Sequence, residues 1–331
     1  MSKPLSLTVK LSILILFAVL FGATMIALSV KDRRANAGEE YSWGKENTIE
    51  RNFTVKSGDQ LIIDADVGDI SLTGYDGEEL YIKVFQKGSD DQLKKYHVNI
   101  DQSGSIVTVK ARHEKRYFNF FDDVWFDVRF EVRVPKNFNL ELQTSGGNVN
   151  IENVNGNIVG GTSGGDLDVG KLEGTVKLST SGGNIRLIDS KGELTFTTSG
   201  GNIIGEDVSG NVHVETSGGN ITFRRTDAKL YGETSGGDIR AELKDNKGID
   251  LSTSGGNVVV TLPKTIAGDV DAETSGGDVT CDFQFSGKLK EGSFHGQING
   301  GGQKIRLESS GGDIVIHSVE PDVSRDSNSV E

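Results

Sequence analysis

The sequence predicts an all-β chain: a parallel β-solenoid with two short strands per coil, each coil about 18 residues long, preceded by an N-terminal transmembrane or signal helix. Three observations lead there. The tetrapeptide Thr-Ser-Gly-Gly occurs eight times, apolar residues hold fixed places around each copy, and residues 11–30 carry no charge. A short fixed period marks one small unit stacked many times, because so small a unit cannot bury a core alone.

Residues 1–38 form an export or anchoring element. As a helix, residues 11–30 would span about 30 Å, the thickness of a bilayer core. Lys3 and Lys10 precede the stretch, and Ala35-Asn36-Ala37 offers a small-x-small cleavage site. The stretch exceeds the usual apolar core of a cleaved signal, and Lys31, Arg33 and Arg34 follow it. A retained single-pass anchor in the cell membrane, with an extracytoplasmic domain, is the expectation. Export after cleavage near Ala37 is the alternative.

Residues 39–135 read as an N-terminal β cap region with a hairpin insertion. Asp66-Val67-Gly68-Asp69-Ile70, followed by Tyr75-Asp76-Gly77, has the pattern of a coil without its Ser-Gly-Gly. Residues 86–135 interrupt the array with hairpins, one turning at Gly104 between two alternating runs. Tyr117, Phe118, Phe120, Phe121, Trp125, Phe126 and Phe130 crowd together here. Solenoid ends need caps, so these rings could seal the end of the stack. The other reading is a docking patch, for which Tyr117, Phe118, Phe120, Phe121, Trp125 and Phe126 are the candidate partner-binding residues.

Residues 136–318 form the repeat array. Copies begin at Thr144, Thr162, Thr180, Thr198, Thr216 and Thr234, spaced by 18, then at Thr253 and Thr274. A degenerate copy is Ser309-Ser310-Gly311-Gly312. Four residues before each Thr stands an aliphatic residue, from Leu140 and Ile158 to Ile249 and Val270. Apolar residues recur two before the Thr and five and seven after it, and this period of two is a strand with one buried face. The glycine pairs are the expected structural corners: Gly146 and Gly147, Gly164 and Gly165, Gly182 and Gly183, Gly200 and Gly201, Gly218 and Gly219, Gly236 and Gly237, Gly255 and Gly256, Gly276 and Gly277. Positive φ, cheap only for glycine, is the expected reason. Gly156, Gly174, Gly192 and Gly210 mark the opposite corner, with Ala228 breaking the pattern. Asn or Asp always follows the pair, which suggests side-chain ladders along the axis, and the Thr hydroxyls suggest a second such stack. Residues 319–331 are polar and are expected to be a disordered tail.

The array Thr-Ser-Gly-Gly-[Asn/Asp]-aliphatic, closing on Ile298-Asn299-Gly300-Gly301-Gly302 and on the Ser309 copy, resembles a bacterial family of unknown function that carries the label putative adhesin. The resemblance covers residues 48–318. It implies a β-solenoid with an N-terminal membrane segment, cell-envelope location and surface interaction. No catalytic residue is implied, because the motif marks corners.

Composition limits the chemistry. The chain carries −13, and the segment 1–38 carries +4, which leaves −17 for the rest. So acidic a surface repels phosphate backbones, which excludes nucleic acid as a partner. Cys281 is alone, so no intramolecular disulfide and no cysteine-based zinc site can form. Calcium β-rolls share the period of 18, but no Gly-x-Gly-x-Asp occurs and the corner position alternates Asn with Asp. A weak calcium site near Asp278 or Asp313 stays open. A polysaccharide-active enzyme would need paired carboxylates, for which Glu215 and Glu233 on adjacent coils are the candidates against a plain solvated face. The expectation is a protein with no enzymatic role, no cofactor and no metal. It would be membrane-bound through its N-terminal helix and would present an extended surface to an envelope protein or glycan. A regulatory ectodomain of an envelope-stress system is the alternative.

Overall fold

A computed structural model describes residues 44–114 and 126–320. The apolar stretch 11–30, the Ala35–Ala37 site and five of the candidate aromatics (Tyr117, Phe118, Phe120, Phe121, Trp125) lie outside the described residues. Among the described residues no helix is long and apolar enough to cross a membrane.

The described residues form strands almost throughout, with one six-residue helix, Asp90–Lys95. Ser89 caps that helix, its hydroxyl accepting from the Gln92 amide while the Gln92 side chain accepts from the Ser89 amide. The sequence reading missed this element.

Two sheets face each other across one apolar core. The first holds the strands that lead into each Thr, including Asn139–Thr144, Asn155–Thr162, Glu173–Ser179, Lys191–Thr198 and Ser209–Thr216. The second holds those that leave the corner, including Val149–Glu152, Leu167–Gly170, Ile185–Ile188 and Ile203–Glu206. All these pairings are parallel and follow the repeat period, so Leu194 sits between Val176 and Val212. Each sheet buries alternate residues, as period-two patterning requires. Ile221–Thr234 runs through the second corner and belongs to both sheets.

Core volume is balanced between rungs. Gly205 stands beside Phe223, and a Cβ on Gly205 would meet the Phe223 ring at 2.2 Å. The large side chain on one coil fills the space that the small one leaves on its neighbour, as close packing demands.

The corners differ from the sequence expectation in two ways. Neither glycine of the Thr-Ser-Gly-Gly pairs has positive φ. The second glycine is required by contact: a Cβ on Gly165 would lie 2.1 Å from the Gly147 carbonyl oxygen, and one on Gly201 would lie 1.9 Å from that of Gly183. In the regular part of the array the first glycine has room, with the nearest atom 3.5 Å from a Cβ on Gly200, while toward the far end it tightens to 3.0 Å at Gly276. At the opposite corner the left-handed turn residues are Asn153, Lys171, Asp189, Asp207 and Arg225, and Gly174, Gly192 and Gly210, three residues after Lys171, Asp189 and Asp207, also take positive φ. Gly156, Gly174, Gly192 and Gly210 lie just inside the following strands, against the same glycine or its neighbour one coil back.

Polar groups satisfy the corners. The Thr198 hydroxyl donates to the Gly183 carbonyl at 2.8 Å and accepts from the Gly201 amide at 3.3 Å. The Thr hydroxyls therefore bridge glycines and do not bond one another. The Asn and Asp ladder runs from side chain to backbone: Asn184 Oδ1 accepts from the Asn202 amide at 2.9 Å, and Asn202 Oδ1 from the Asn220 amide at 2.8 Å.

Coil order departs from chain order at both ends. The coil at Gln60–Ala65 and Asp69–Tyr75 lies between Ile106–His113 with Asp127–Pro135 on one side and Asn139–Thr144 with Val149–Glu152 on the other. It is the coil expected without Ser-Gly-Gly, and Thr144 donates its hydroxyl to the Gly68 carbonyl. Tyr96–Ser103 and Ile106–His113 make the antiparallel hairpin expected around Gly104. At the far end, Lys304–Ser309 slides between Ile249–Thr253 and Gly268–Thr274. The chain from Lys45 onward packs as one unit, so the cap and array of the sequence reading share one core. Val319, placed at the head of the tail by composition, closes the strand Ile314–Val319.

Candidate functional site

The outer face of the first sheet carries three parallel ladders of side chains. Thr195, His213, Tyr231, Asp250 and Arg306 occupy one register position on successive coils. Glu215 and Glu233 pair along a second, and Glu193, Asn211 and Lys229 along a third. Alternation puts all of them outward because the residues between them fill the core.

Between Tyr231 and Arg306 the ladders run short. Asp250 is small for its place, and Gly248 offers no side chain. An open trough of about 880 Å³ runs along this face from Glu193 and Asn211 to Arg306, with Tyr231, Asp250 and Lys304 on its walls. The His213 and Tyr231 rings stack at 4.3 Å between centroids and 6° between planes. His213 Nε2 lies 2.8 Å from Glu215 Oε1, and the Tyr231 hydroxyl donates to Glu233 Oε2 at 2.6 Å. That hydrogen bond to the carboxylate, with burial and nearby negative charge, pushes the Tyr231 phenol up to about 12. Burial raises the Asp250 carboxyl, against the opposing pull of Arg306 at 3.8 Å. Arg306 itself is held upward by its hydrogen bonds to Glu308.

The carboxylate pair Glu215 and Glu233 does stand on adjacent coils. Each is tied to its own ring, which orients the carboxylates along the strands and not across a cleft. The corner Asp166 and Asp238 spend one oxygen each accepting a backbone amide, at 2.7 and 2.9 Å. Asp313 does the same toward the Asp278 amide at 2.9 Å. These atoms serve the ladder.

Of the six candidate aromatics, Phe126 is described. It is half-buried and packs edge-on against Tyr96, 5.1 Å between centroids, and against His113 at 5.3 Å. Phe130, four residues on, is fully buried. The trough was missed by the sequence reading, which singled out only Glu215 and Glu233 on this face. Tyr231, a ring at the place His213 holds one repeat earlier, was the available signal.

The fold and this face define a class: an all-β protein of stacked parallel coils, solenoid-like, with a polar groove on one sheet. The chain belongs to the Toastrack family DUF4097, whose model matches residues 58–317. No curated protein matches it. Among solved structures, a putative adhesin from Bacteroides fragilis is 14% identical, covers 82% of this chain and 97% of its own, and has a TM-score of 0.41. A putative lipid binding protein from Parabacteroides distasonis is 16% identical, with 82% and 98% covered and a TM-score of 0.40. A putative cell adhesion protein from Clostridium sporogenes is 13% identical, with 82% and 100% covered and a TM-score of 0.27. All three are distant in sequence and in shape.

Proposed function

We propose that this chain is a non-enzymatic protein of the cell envelope, tethered by residues 11–30, whose first sheet binds an extended glycan. One observation carries the reading: the trough beside the His213–Tyr231 pair, on a scaffold locked by rung-to-rung hydrogen bonds. A rigid sheet positions groups better than a loop does, and binding to it costs little ordering. The trough supplies an aromatic ring, amides, carboxylates and cations, which suits a hydroxyl-rich polymer better than an apolar peptide. A linear partner can also run along the ladder across several coils. The aromatics Tyr117, Phe118, Phe120, Phe121 and Trp125 would add a second contact.

Isothermal titration of the full chain in detergent against soluble linear envelope polysaccharides tests this. Tyr231→Ala should weaken binding about tenfold, the equivalent of about 1.4 kcal/mol, with the melting midpoint unchanged. Binding that ignores Tyr231→Ala, or no binding to any glycan tried, removes the reading. Loss of capture by Phe120→Ala with Phe121→Ala and Trp125→Ala, without unfolding, would support the second contact. Unfolding of that triple variant would assign those rings to the cap.

A further inference from the structure

The far end of the first sheet holds a different constellation. The strand Gly268–Thr274 lies between Lys304–Ser309, which is parallel to it, and Ser293–Ile298, which is antiparallel. Asp271 and Glu273 are two apart on the strand and share its outer face. His295 sits directly opposite Asp271 in the antiparallel register. Its imidazole lies between both carboxylates: Nδ1 is 2.9 Å from Asp271 Oδ1, and Nε2 is 3.4 Å from Glu273 Oε1.

A neutral imidazole has one N–H and one lone pair. With a carboxylate at each nitrogen, the lone pair of that form faces negative charge. A cation at this point would remove the conflict. One nitrogen and two carboxylate oxygens already lie within 4.8 Å of one another. Rotations about side-chain bonds bring such a set onto one ion, and three protein ligands plus water complete a tetrahedral zinc site.

We propose that Asp271, Glu273 and His295 bind one divalent transition-metal cation of the zinc type. The nitrogen ligand selects zinc, nickel or copper over calcium and magnesium, which take oxygen ligands. Neighbouring cations leave the place open. Arg306 bonds Glu308 on the adjacent strand, and Lys304 approaches the far oxygen of Asp271, Oδ2, at 3.4 Å. His317 and His213 each meet a single carboxylate, Asp282 and Glu215. Among the described residues, two carboxylates converge on a histidine only at His295. The two ligating strands are Gly268–Thr274 and its antiparallel neighbour Ser293–Ile298, so the ion would clamp the terminal hairpin, Phe285–Lys290 with Ser293–Ile298, onto the stack. The site adjoins the trough through Lys304 but shares no ligand residue with its lining, and it does not depend on glycan binding.

The test is calorimetric titration of zinc chloride into the full chain, stripped with chelator and held in detergent. One equivalent should bind with a dissociation constant of about 10 μM or tighter. His295→Ala and Glu273→Gln should each weaken it at least about tenfold, while His317→Ala leaves it unchanged. Zinc should also slow amide exchange in Ser293–Ile298. Binding weaker than about 100 μM, or binding that survives both His295→Ala and Glu273→Gln, overturns the proposal. Should His295→Ala fail to fold, Glu273→Gln, which keeps the side-chain shape, decides the question.

Discussion

The Ser309 hydroxyl donates to the Gly256 carbonyl oxygen at 2.8 Å, although 53 residues separate them. Ser309 thus fills, on the next coil, the role that Thr253 plays toward Gly237. The last copy of the motif is not the last coil of the stack. It is held between the copies at Thr253 and Thr274, paired on both sides.

The two glycines of a corner should respond differently to the same change. Gly201→Ala drives a methyl into the Gly183 carbonyl, where 1.9 Å is available, and should cost about 3 kcal/mol or more. Gly200→Ala places its methyl at ordinary contact, 3.5 Å from its nearest neighbour, and should stay within about 0.5 kcal/mol of the parent. Urea unfolding midpoints read the difference, and equal losses would refute the contact argument.

Thr198 should be replaceable by serine but not by valine. Valine keeps the shape and removes the hydroxyl that bridges Gly183 and Gly201. A buried carbonyl and a buried amide then lose a partner, at a cost of about 1–3 kcal/mol. Thermal unfolding of the two variants is the measurement.

Gly205 and Phe223 should show coupling. Gly205→Ala alone collides with the ring at 2.2 Å. With Phe223→Leu the space opens, so the double variant should be more stable than the sum of the single losses by about 0.5–3 kcal/mol. A double-mutant cycle by chemical denaturation gives the number, and strict additivity would contradict the packing.

Tyr231 should titrate late. Its folded phenol is pushed to about 12, above an ordinary value near 10. The folded state therefore holds its proton longer than the unfolded chain. The stabilisation is whole below about pH 10 and is lost as pH rises through the window up to about 12. The difference in ultraviolet phenolate absorbance between the parent and Tyr231→Phe reads this titration, and Glu233→Gln should move it back toward 10 by removing the charged acceptor.

Much of this molecule is readable from its residues. The spacing by two of Leu194 and Phe196, and of Ile185 and Leu187, marks the buried face because a strand alternates over immediate neighbours. The period of 18 sets which residues stack at one position on successive rungs, as Leu140, Ile158 and Val176 do. The Asp66–Ile70 coil and the Gly104 hairpin were legible for the same local reason. The helix Asp90–Lys95 was not, since so short a segment gives too little periodicity and only the Ser89 cap announces it.

The sequence by itself determined the rungs, their inward aliphatics and the polar corners, because each depends on residues close along the chain. Tertiary structure alone decided which rung neighbours which at the two ends. It also decided which glycine of each pair is indispensable, because that follows from the distance to the coil beneath. And it alone brought Arg306 beside Asp250 and His295 against Asp271, since those meetings are made by an inserted strand and by a returning hairpin, over separations that no local pattern encodes.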